Sequence, residues 1–217
     1  MINKSLASAA KLHENVPPNW YYQSIRINAG QKFWHETRFK EVSTLIEKME
    51  GKVLDIGSAD GVFSKVILDK SGAKEIIGID VLKNSVDWAN NHWMKNKKLK
   101  FKLGNAHDLK FKANYFEAVF ALEVLEHVPD PKKVLSEIKR VLKKDGYAIF
   151  LVPTDNFLFK IVWWLWTKWR GRIWDDCHIQ SFRNDSLVNL AKKVGFKVEK
   201  NHKFLLGMLQ AVKIRKI

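Results

Sequence analysis

Short apolar runs alternate with helical spacing through the middle of the chain. Strand-like runs rich in valine, isoleucine, leucine and phenylalanine lie near residues 53–56, 76–79, 99–103, 117–121 and 146–151. Between them, apolar positions recur at helical spacing near residues 61–70, 84–95 and 131–143. This alternation predicts an α/β fold with a parallel sheet, whose ligands bind beyond the carboxyl ends of the strands.

Both ends of the chain add elements to this core. Apolar residues between 39 and 49 follow helical spacing, and residues 182–194 predict an amphipathic helix with Asn184 or Asp185 as its N-cap. Residues 196–199 and 204–214 predict two closing strands. We therefore expect a single domain, in which residues 1–50 are N-terminal helices, 51–152 the core, 153–180 an insertion and 181–217 the closing helix and strands.

Composition narrows the cellular setting. The single cysteine, Cys177, excludes a disulfide framework and favours a reducing, cytoplasmic compartment. No stretch has the pattern of a signal peptide or the length of a membrane span. The net charge of +15, from 38 basic and 23 acidic residues, predicts an anionic partner, either nucleic acid or an anionic membrane surface.

The first candidate site follows the first strand, in the segment Lys52-Val-Leu-Asp-Ile-Gly-Ser-Ala-Asp-Gly61. Gly57 and Gly61 flank a tight turn before a helix, where backbone N–H groups can approach an anionic or polar ligand. The next strand ends in Asp80, where a carboxylate can accept hydrogen bonds from both hydroxyls of a ribose. A helix N-cap is the alternative role for Asp80.

Four segments in order carry a family resemblance. Residues Val53 to Gly61, Gly78 to Val81, Gly104 to Phe111 and Ala121 to Pro131 resemble successive motifs of class I S-adenosylmethionine-dependent methyltransferases. Leu-Glu-Val-Leu-Glu-His-Val-Pro-Asp at 122–130 and Val-Leu-Lys-Lys-Asp-Gly-Tyr at 141–147 resemble the small-molecule branch, the type 11 or ubiquinone-pathway-like enzymes. The resemblance covers roughly residues 51–196. One departure is Ala59, where the family usually has glycine.

The resemblance implies a Rossmann-like, doubly wound sheet of seven strands, mostly parallel with an antiparallel last strand, with N-terminal lid helices and an aromatic helical insertion. It also implies S-adenosylmethionine as cofactor and S-adenosylhomocysteine as product. The cofactor-binding residues expected from it are Asp55, Gly57, Ser58, Gly61, Asp80, Val81, Asn105, Ala106, Leu122 and Arg38. In this set, the 105–106 loop would bind adenine and Arg38 the methionine carboxylate. Tyr21, Trp34 and His35 are further candidate lid residues, with simple packing of the lid as the alternative.

The catalytic candidates follow the fourth strand. Glu123, Glu126 and His127 have i, i+3, i+4 spacing, which places them on one face of a helical turn. Two carboxylates and an imidazole suit a divalent cation, and some relatives look similar in this pattern. We commit to no metal, because a general base at His127 or a positioning role explains these residues as well. We expect His127, with Glu123 and Glu126, to face the acceptor, and His178 is a further candidate base or ligand by loose analogy.

Residues 157–170 form an aromatic and basic stretch. On a helical wheel its apolar residues share one broad face, and Lys160, Thr167 and Arg170 lie opposite, with Arg172 continuing the basic character. This composition is typical of an interfacial membrane helix, and it is too short and too charged to span a bilayer. The alternative is a helix whose aromatic side chains pack on the domain. Membrane contact and packing on the domain are compatible if the helix covers an apolar substrate pocket.

These patterns together predict an S-adenosylmethionine-dependent methyltransferase that acts on a hydrophobic or lipid-like small molecule. We expect a cytoplasmic protein, and the aromatic helix adds peripheral contact with the inner membrane surface as a further expectation. An RNA methyltransferase is the rival enzyme; the charge favours it, but nucleic acid is the weaker candidate partner because no RNA-binding module is recognisable. A non-catalytic, cofactor-binding partner subunit is the rival of another class.

Overall fold

The computed structural model describes residues 11, 13–169 and 178–217. Expectations for Arg170, Arg172 and Cys177 lie outside the described residues. The helices are α1 (Trp20–Ile27), α2 (Ala29–Ser43), α3 (Val62–Ser71), α4 (Lys83–His92), α5 (Pro131–Val141), α6 (Phe157–Trp169) and α7 (Ser186–Val194), with a 3₁₀ turn at Leu125–His127. The strands are β1 (Lys52–Ile56), β2 (Glu75–Asp80), β3 (Leu99–Leu103), β4 (Phe116–Leu122), β5 (Leu142–Pro153), β6 (Phe196–Phe204) and β7 (Leu209–Lys216).

The seven strands form one sheet in the order β3-β2-β1-β4-β5-β7-β6. Strands β1 to β5 pair in parallel, whereas β7 runs antiparallel to both β5 and β6. The strand order reverses beside β1, so the carboxyl ends of β1 and β4 are neighbours at the switch point where such sheets bind ligands. The predicted Rossmann-like fold, with its antiparallel last strand, is confirmed.

Helices cover both faces of the sheet. On one face, α5 and α7 pack against alternate residues of the strands, and on the other face α3 and α4 do so together with Val42 of α2. Strands buried on both faces read as nearly continuous apolar runs, which is why β1, β2 and β4 were recognisable in the sequence. The two apolar layers hold the sheet rigid, and the loops at its carboxyl edge are therefore held in fixed positions.

Capping residues mark the ends of several helices. The side chain of Asn28 accepts a hydrogen bond from the backbone N–H of Gln31 at the start of α2, and Asp130 accepts one from Lys133 at the start of α5, each over 3.0 Å. Helix α3 ends at Gly72, whose φ of 71° is the left-handed conformation that favours glycine at a helix end.

Three predicted boundaries were wrong. Helix α5 ends at Val141, because the chain from Leu142 onward already pairs with β4 across a register shift. Helix α7 begins only at Ser186, so its predicted start was wrong, although the predicted Asp185 does hold the N-cap position. The side chain of Asp185 makes no capping bond, since its carboxylate binds Asn201, Gln210 and Lys203 instead. Phe204 ends β6 rather than starting the last strand.

Candidate active site

A cavity of about 120 Å³ lies at the carboxyl edge of the sheet, and we call it the strand-end cavity. The loops after successive parallel strands all reach it, as expected where neighbouring strands end at one edge. Predicted cofactor residues in its wall are Gly57, Asp80, Val81, Asn105 and Ala106. Glu123 and His127, predicted to face the acceptor, line it as well. The structure therefore brings residues from four separate motifs together.

The turn after β1 has the backbone geometry that its glycines indicate. Gly57 has a φ of 72°, and a side chain there would collide with Val124. The backbone N–H groups of Gly57 and Ser58 both donate to the carbonyl of Ile79, over 2.8 and 3.0 Å. Ala59 has a φ of 44°, a left-handed backbone conformation that residues other than glycine rarely adopt. This backbone conformation is a physical reason for the glycine that the family resemblance implies at the position of Ala59.

Asp80 joins two loops of the strand-end cavity. One carboxylate oxygen accepts from the N–H of Ala59 over 2.9 Å and the other from the N–H of Leu82 over 2.8 Å. The N-cap residue of α4 is Leu82, so Asp80 does not hold the N-cap position. Burial raises the pKa of Asp80, although the two backbone N–H groups oppose that shift. A carboxylate has about four lone-pair sites, so acceptor capacity remains for a ligand.

Other predicted residues lie in a smaller cavity beside the first, lined by Asp55, Ser58 and Leu122 together with Tyr21 and Glu123. Asp55 accepts a hydrogen bond of 2.5 Å from the hydroxyl of Ser64, and burial raises the pKa of Asp55 to about 7. The buried hydroxyl of Ser58 has no hydrogen-bond partner in the described part of the chain. Gly61 lines none of these cavities, and a side chain there would meet Phe101 and Trp93, so packing requires glycine at this turn. Its contact with the cofactor stays a prediction.

The loop predicted to bind adenine is closed on itself by a residue that the sequence analysis did not single out. The side-chain oxygen of Asn105 accepts from the N–H of His107 over 3.0 Å and lies 3.1 Å from its ring Nδ1. His107 is buried in the wall of the strand-end cavity. The Asn-x-His spacing is the one feature of the sequence that could have indicated this turn.

Asp60 was also missed. Its carboxylate accepts from the N–H of Tyr22 in α1 over 2.8 Å and from the N–H of Val62 in α3 over 3.3 Å. One carboxylate thus serves the first turns of both helices, and burial raises its pKa to about 6. The segment before α1 adds His13, Val16, Pro17 and Pro18 to the wall of the strand-end cavity. The two prolines indicated a break in the chain but not its position over the sheet.

A second cavity of about 300 Å³ adjoins the first, and we call it the helix-lined cavity. Its walls come chiefly from α1, α2 and α6, with the 3₁₀ turn and His178 at one end. The residues predicted for the lid all line it, namely Tyr21, Trp34, His35 and Arg38. Trp20, Tyr21, Glu123 and His127 line both cavities, so the two spaces meet at these side chains.

Arg38 lies in the helix-lined cavity and not in the strand-end cavity. Its buried guanidinium forms an ion pair with Glu123 and contacts Nδ1 of His35. Burial lowers the pKa of Arg38 to about 10, and burial together with Arg38 lowers the pKa of His35 to about 2, which keeps this imidazole neutral. Binding of a cofactor carboxylate by Arg38 stays a prediction. Nη1 and Nη2 of Arg38 already contact Glu123 and His35, whereas its buried Nε has no hydrogen-bond partner in the described residues.

The predicted grouping of Glu123, Glu126 and His127 is wrong in one member. Glu123 has a φ of 58° and only residues 125–127 form a 3₁₀ turn, so helical i, i+3, i+4 spacing does not apply. Instead, Glu126 and His127 lie with His178, and one ligand atom from each lies within 4.8 Å of the others. His178 is held there because the N–H groups of residues 179 and 180 donate to the carbonyl of Glu126 over 2.9 and 3.0 Å.

Glu126 is the buried carboxyl of this group. Its Oε2 has no hydrogen-bond partner in the described residues. Burial raises the pKa of Glu126 to about 8. A buried polar atom without a partner is costly, and it commonly marks a place where a ligand or ion completes the bonding.

Helix α6 is apolar on two sides, so the single broad apolar face expected for it is wrong. Phe159, Trp163 and Trp166 line the helix-lined cavity, and the ring of Trp163 lies 4.7 Å from that of His178. Thr167, expected on the polar face, is buried. On the other side, Trp164 and Leu165 are exposed. In the described residues, no helix is long and apolar enough to cross a membrane.

The fold and the site together define the class of the protein. A doubly wound sheet with an antiparallel β7, a left-handed glycine turn after β1 and a buried acid at the end of β2 are the arrangement of class I methyltransferases. A family model described as "Methyltransferase domain" matches residues 33–201. The chain belongs to this family, the class I S-adenosylmethionine-dependent methyltransferases.

Individual relatives match only part of the chain, at about one-third sequence identity. An uncharacterized protein of Methanocaldococcus jannaschii is 30% identical over 68% of this chain and 65% of its own length. The ubiquinone biosynthesis O-methyltransferase of Haemophilus ducreyi is 33% identical over 56% of this chain and 53% of its own. The chain therefore spans about half to two thirds of the length of these curated relatives.

Among solved structures, the chain is similar in fold to one from a complex between the Haloferax volcanii Trm112 methyltransferase activator and a methyltransferase. The TM-score is 0.73 with 16% identity, covering 93% of this chain and 97% of that one.

Proposed function

We propose that the protein transfers a methyl group from S-adenosylmethionine to a polar atom of a small, largely apolar acceptor. The observation that carries this proposal is the shared wall of the two cavities, formed by Trp20, Tyr21, Glu123 and His127. A donor in the strand-end cavity and an acceptor in the helix-lined cavity would meet there. Holding two reactants in contact and in line supplies much of the acceleration for an intrinsically reactive sulfonium donor.

The cofactor would lie along the strand ends. Asp80 would accept hydrogen bonds from the ribose hydroxyls, and the loop of Asn105 and Ala106 would contact adenine, with Val81 against its face. The methionine end would lie toward Asp55, Gly57 and Leu122, where the unpartnered hydroxyl of Ser58 offers a hydrogen bond. The cavity there has a volume of about 10 Å³, the size of one water molecule, and would have to widen to admit it.

The acceptor would have a polar head and an apolar body. Aromatic side chains from Trp34, Trp163 and Trp166 line much of the helix-lined cavity, whereas its carboxyl and imidazole groups lie near the strand-end cavity. A volume of about 300 Å³ is at the lower end of small-molecule pockets. The acceptor atom would displace the sulfur of the donor at the methyl carbon, and His127 would take the acceptor proton as a general base.

A divalent cation is the alternative to a general base at His127. Glu126, His127 and His178 offer one carboxylate oxygen and two imidazole nitrogens, a donor set that suits Zn²⁺ or Mn²⁺ better than Mg²⁺. The unpartnered Oε2 of Glu126 supports this assignment. A bound cation would polarise an acceptor hydroxyl and lower its pKa.

The exposed side of α6 supports peripheral contact with the inner membrane surface. Lys160 and Lys168 flank its exposed aromatic and aliphatic residues, and the helix itself contains no acidic residue. Basic side chains near an anionic bilayer contribute about 1 kcal/mol each, and tryptophan favours the interface. An apolar acceptor could then enter the helix-lined cavity from the bilayer.

Methylation of mixed acceptors tests the function directly. Purified protein and labelled S-adenosylmethionine are incubated with a total lipid extract and, separately, with total RNA, and the labelled product is identified by mass spectrometry. We expect label in the lipid fraction. The variant Trp163→Ser, which changes the cavity wall, should strongly reduce this labelling. The control variant Trp164→Ser, which changes the exposed neighbouring residue, should retain the labelling when the extract is dispersed in detergent. Label confined to RNA would instead favour the second candidate function, which the net charge of +15 keeps open.

The cation is tested separately by calorimetric titration of the chelator-treated protein with Mn²⁺ and Zn²⁺. We expect binding that His178→Ala abolishes and that Glu123→Gln leaves in place. No binding, together with full activity in excess chelator, would remove the cation and leave His127 as base or positioning residue.

A further inference from the structure

An unusual turn joins β6 to β7. Leu205, Leu206 and Gly207 follow one another with φ of 50°, 55° and 77°, all in the left-handed region. This conformation costs a leucine about 1–2 kcal/mol, and asparagine or glycine would avoid much of that cost. Leu206 is nevertheless leucine, and 84% of its surface is exposed. The side chain therefore gains almost nothing from packing in the folded chain, while its backbone is strained.

The turn is fixed to the beginning of α6. The hydroxyl of Thr154 donates to the carbonyl of Gly207 over 2.6 Å, and the side-chain N–H of Asn156 donates to the carbonyl of Leu206 over 3.3 Å. Asn156 in turn accepts from the N–H of Phe159 over 2.7 Å, so the same side chain begins the helix. Phe157, the residue next to Asn156, is 81% exposed. Leu206 and the first turn of α6 therefore belong to one structural unit.

The exposed apolar residues of α6 continue this unit along the helix. Phe157, Ile161, Trp164 and Leu165 have i, i+4, i+7, i+8 spacing, which places them on one side of the helix. The cavity-lining residues lie on the other side. Nζ of Lys168 lies 4.5 Å from the centre of the Trp164 ring, so a cation accompanies the apolar surface at its far end. We call Leu206 with these four residues of α6 the outer apolar surface.

We propose that the outer apolar surface docks on an anionic phospholipid bilayer and that Leu206 is its second anchor, separate from α6. The inference rests on the membrane association proposed above and adds an element from a distant part of the sequence. Contact at both the turn and the helix would fix the orientation of the protein on the bilayer. The helix-lined cavity would then lie one helix diameter, about 10 Å, from the lipid.

The complementary charge identifies the occupant. Helix α6 carries lysines and no acidic residue, and the chain has a net charge of +15. Lysine stems can extend along apolar surface while their charged ends reach headgroup phosphates. An anionic bilayer satisfies both the apolar residues and the lysines, whereas a protein partner would have to match this surface with an acidic rim around an apolar centre.

Vesicle flotation of the full chain tests the proposal. The variants are Leu206→Asn and, as matched control, Leu103→Asn, which changes a leucine 55% exposed in β3 at the opposite end of the sheet order. With vesicles of phosphatidylglycerol and phosphatidylcholine, we expect Leu206→Asn to weaken binding about five- to tenfold, since partial burial of one leucine is lost. Leu103→Asn should bind like wild type.

Thermal unfolding separates an anchor from a structural residue. Asparagine tolerates the left-handed conformation, so Leu206→Asn should unfold at the wild-type temperature or above it. Unchanged vesicle binding by Leu206→Asn, with binding lost in Trp164→Ser, would overturn the second anchor and leave the membrane contact of α6 standing. A wild-type protein that binds no vesicle would overturn both, while methyl transfer to a dispersed acceptor would still support the enzymatic function.

Discussion

The two cavities of the site are built in different ways. The strand-end cavity is formed by loops that follow β1, β2, β3 and β4, and each loop begins from a strand fixed in the sheet. The helix-lined cavity is formed largely by α1, α2 and α6, which lie before the first strand or after the fifth. The sheet therefore sets most of the shape of the first cavity, to which the segment before α1 adds one wall, whereas the shape of the second depends on how added helices pack.

The largest expected change in stability comes from a residue of the helix-lined cavity. Arg38→Met should lower the free energy of unfolding by about 3–5 kcal/mol, because it leaves Glu123 without its buried cationic partner. Chemical denaturation measures the change, and the double variant with Glu123→Gln should recover part of it. Calorimetry with S-adenosylhomocysteine then sharpens the comparison: unchanged affinity assigns Arg38 to the acceptor side, and lost affinity supports its predicted contact with the cofactor carboxylate.

On the strand side, Asp80→Ala should weaken cofactor binding by about 1–3 kcal/mol through loss of charge-assisted hydrogen bonds. Titration calorimetry with S-adenosylhomocysteine measures it. Asp87→Asn, in an exposed carboxylate paired with Lys83 on the adjoining helix, is the control and should bind normally. An Asp80→Ala protein of wild-type affinity would remove the ribose assignment.

The strand side should also show a pH dependence. Asp55 has a pKa of about 7 in the folded chain, above its ordinary value of 3.8, because it is buried. Its stabilising contribution is therefore complete at acid pH and lost as the pH rises through about 7. The contribution of Asp55 should lower the unfolding temperature of the cofactor-free protein between about pH 4 and 7, the range between its unfolded and folded pKa values, at about 2–4 °C per kcal/mol.

Asp55→Asn should make the fall of the unfolding temperature with pH smaller, since an amide cannot ionise. Asp60 and Glu126, whose burial raises their pKa values to about 6 and about 8, still contribute to the fall. Asp69→Asn, in an exposed carboxylate paired with Lys65, should leave the profile as in wild type. Equal profiles in wild type and Asp55→Asn would show that Asp55 does not titrate in this range.

The smallest expected effect concerns the glycine turn. Ala59→Gly should stabilise the protein by at most about 1 kcal/mol, because relief of the left-handed backbone is offset by the greater chain entropy of glycine when unfolded. Thermal unfolding of the two proteins measures this difference. A clearly less stable Ala59→Gly protein would mean that the methyl group of Ala59 contributes to packing.

The sheet was predictable because its evidence is local. Buried parallel strands give continuous apolar runs, and each one ends in glycine or in a polar residue that needs a ligand or a partner. Asp80 and Gly57 were thus found from neighbours in sequence. Asp60 was not, because its partners are the backbone N–H of Tyr22, 38 residues away, and of its near neighbour Val62. Every residue except proline has a backbone N–H, so such a donor cannot be recognised from the residue type.

The metal candidates also show that local sequence spacing does not determine which side chains meet in the fold. Helical spacing grouped Glu123 with Glu126 and His127, but the left-handed backbone of Glu123 turns its carboxylate to Arg38, and His178 takes its place. For α6, composition indicated both membrane contact and packing without choosing between them. A helix that is apolar on two sides has no single apolar face to orient it.

By itself, the sequence determined the class of fold, the order of the motifs and the edge of the sheet where they meet. These follow from strand-length apolar runs and from glycine and acid positions, which act over a few residues. Only the tertiary structure decided which tryptophans of α6 line the helix-lined cavity, which carboxylate pairs with Arg38 and that Leu206 lies beside the helix. The physical reason is that each depends on packing between segments far apart in the chain, where burial and hydrogen bonding between distant residues outweigh local preference.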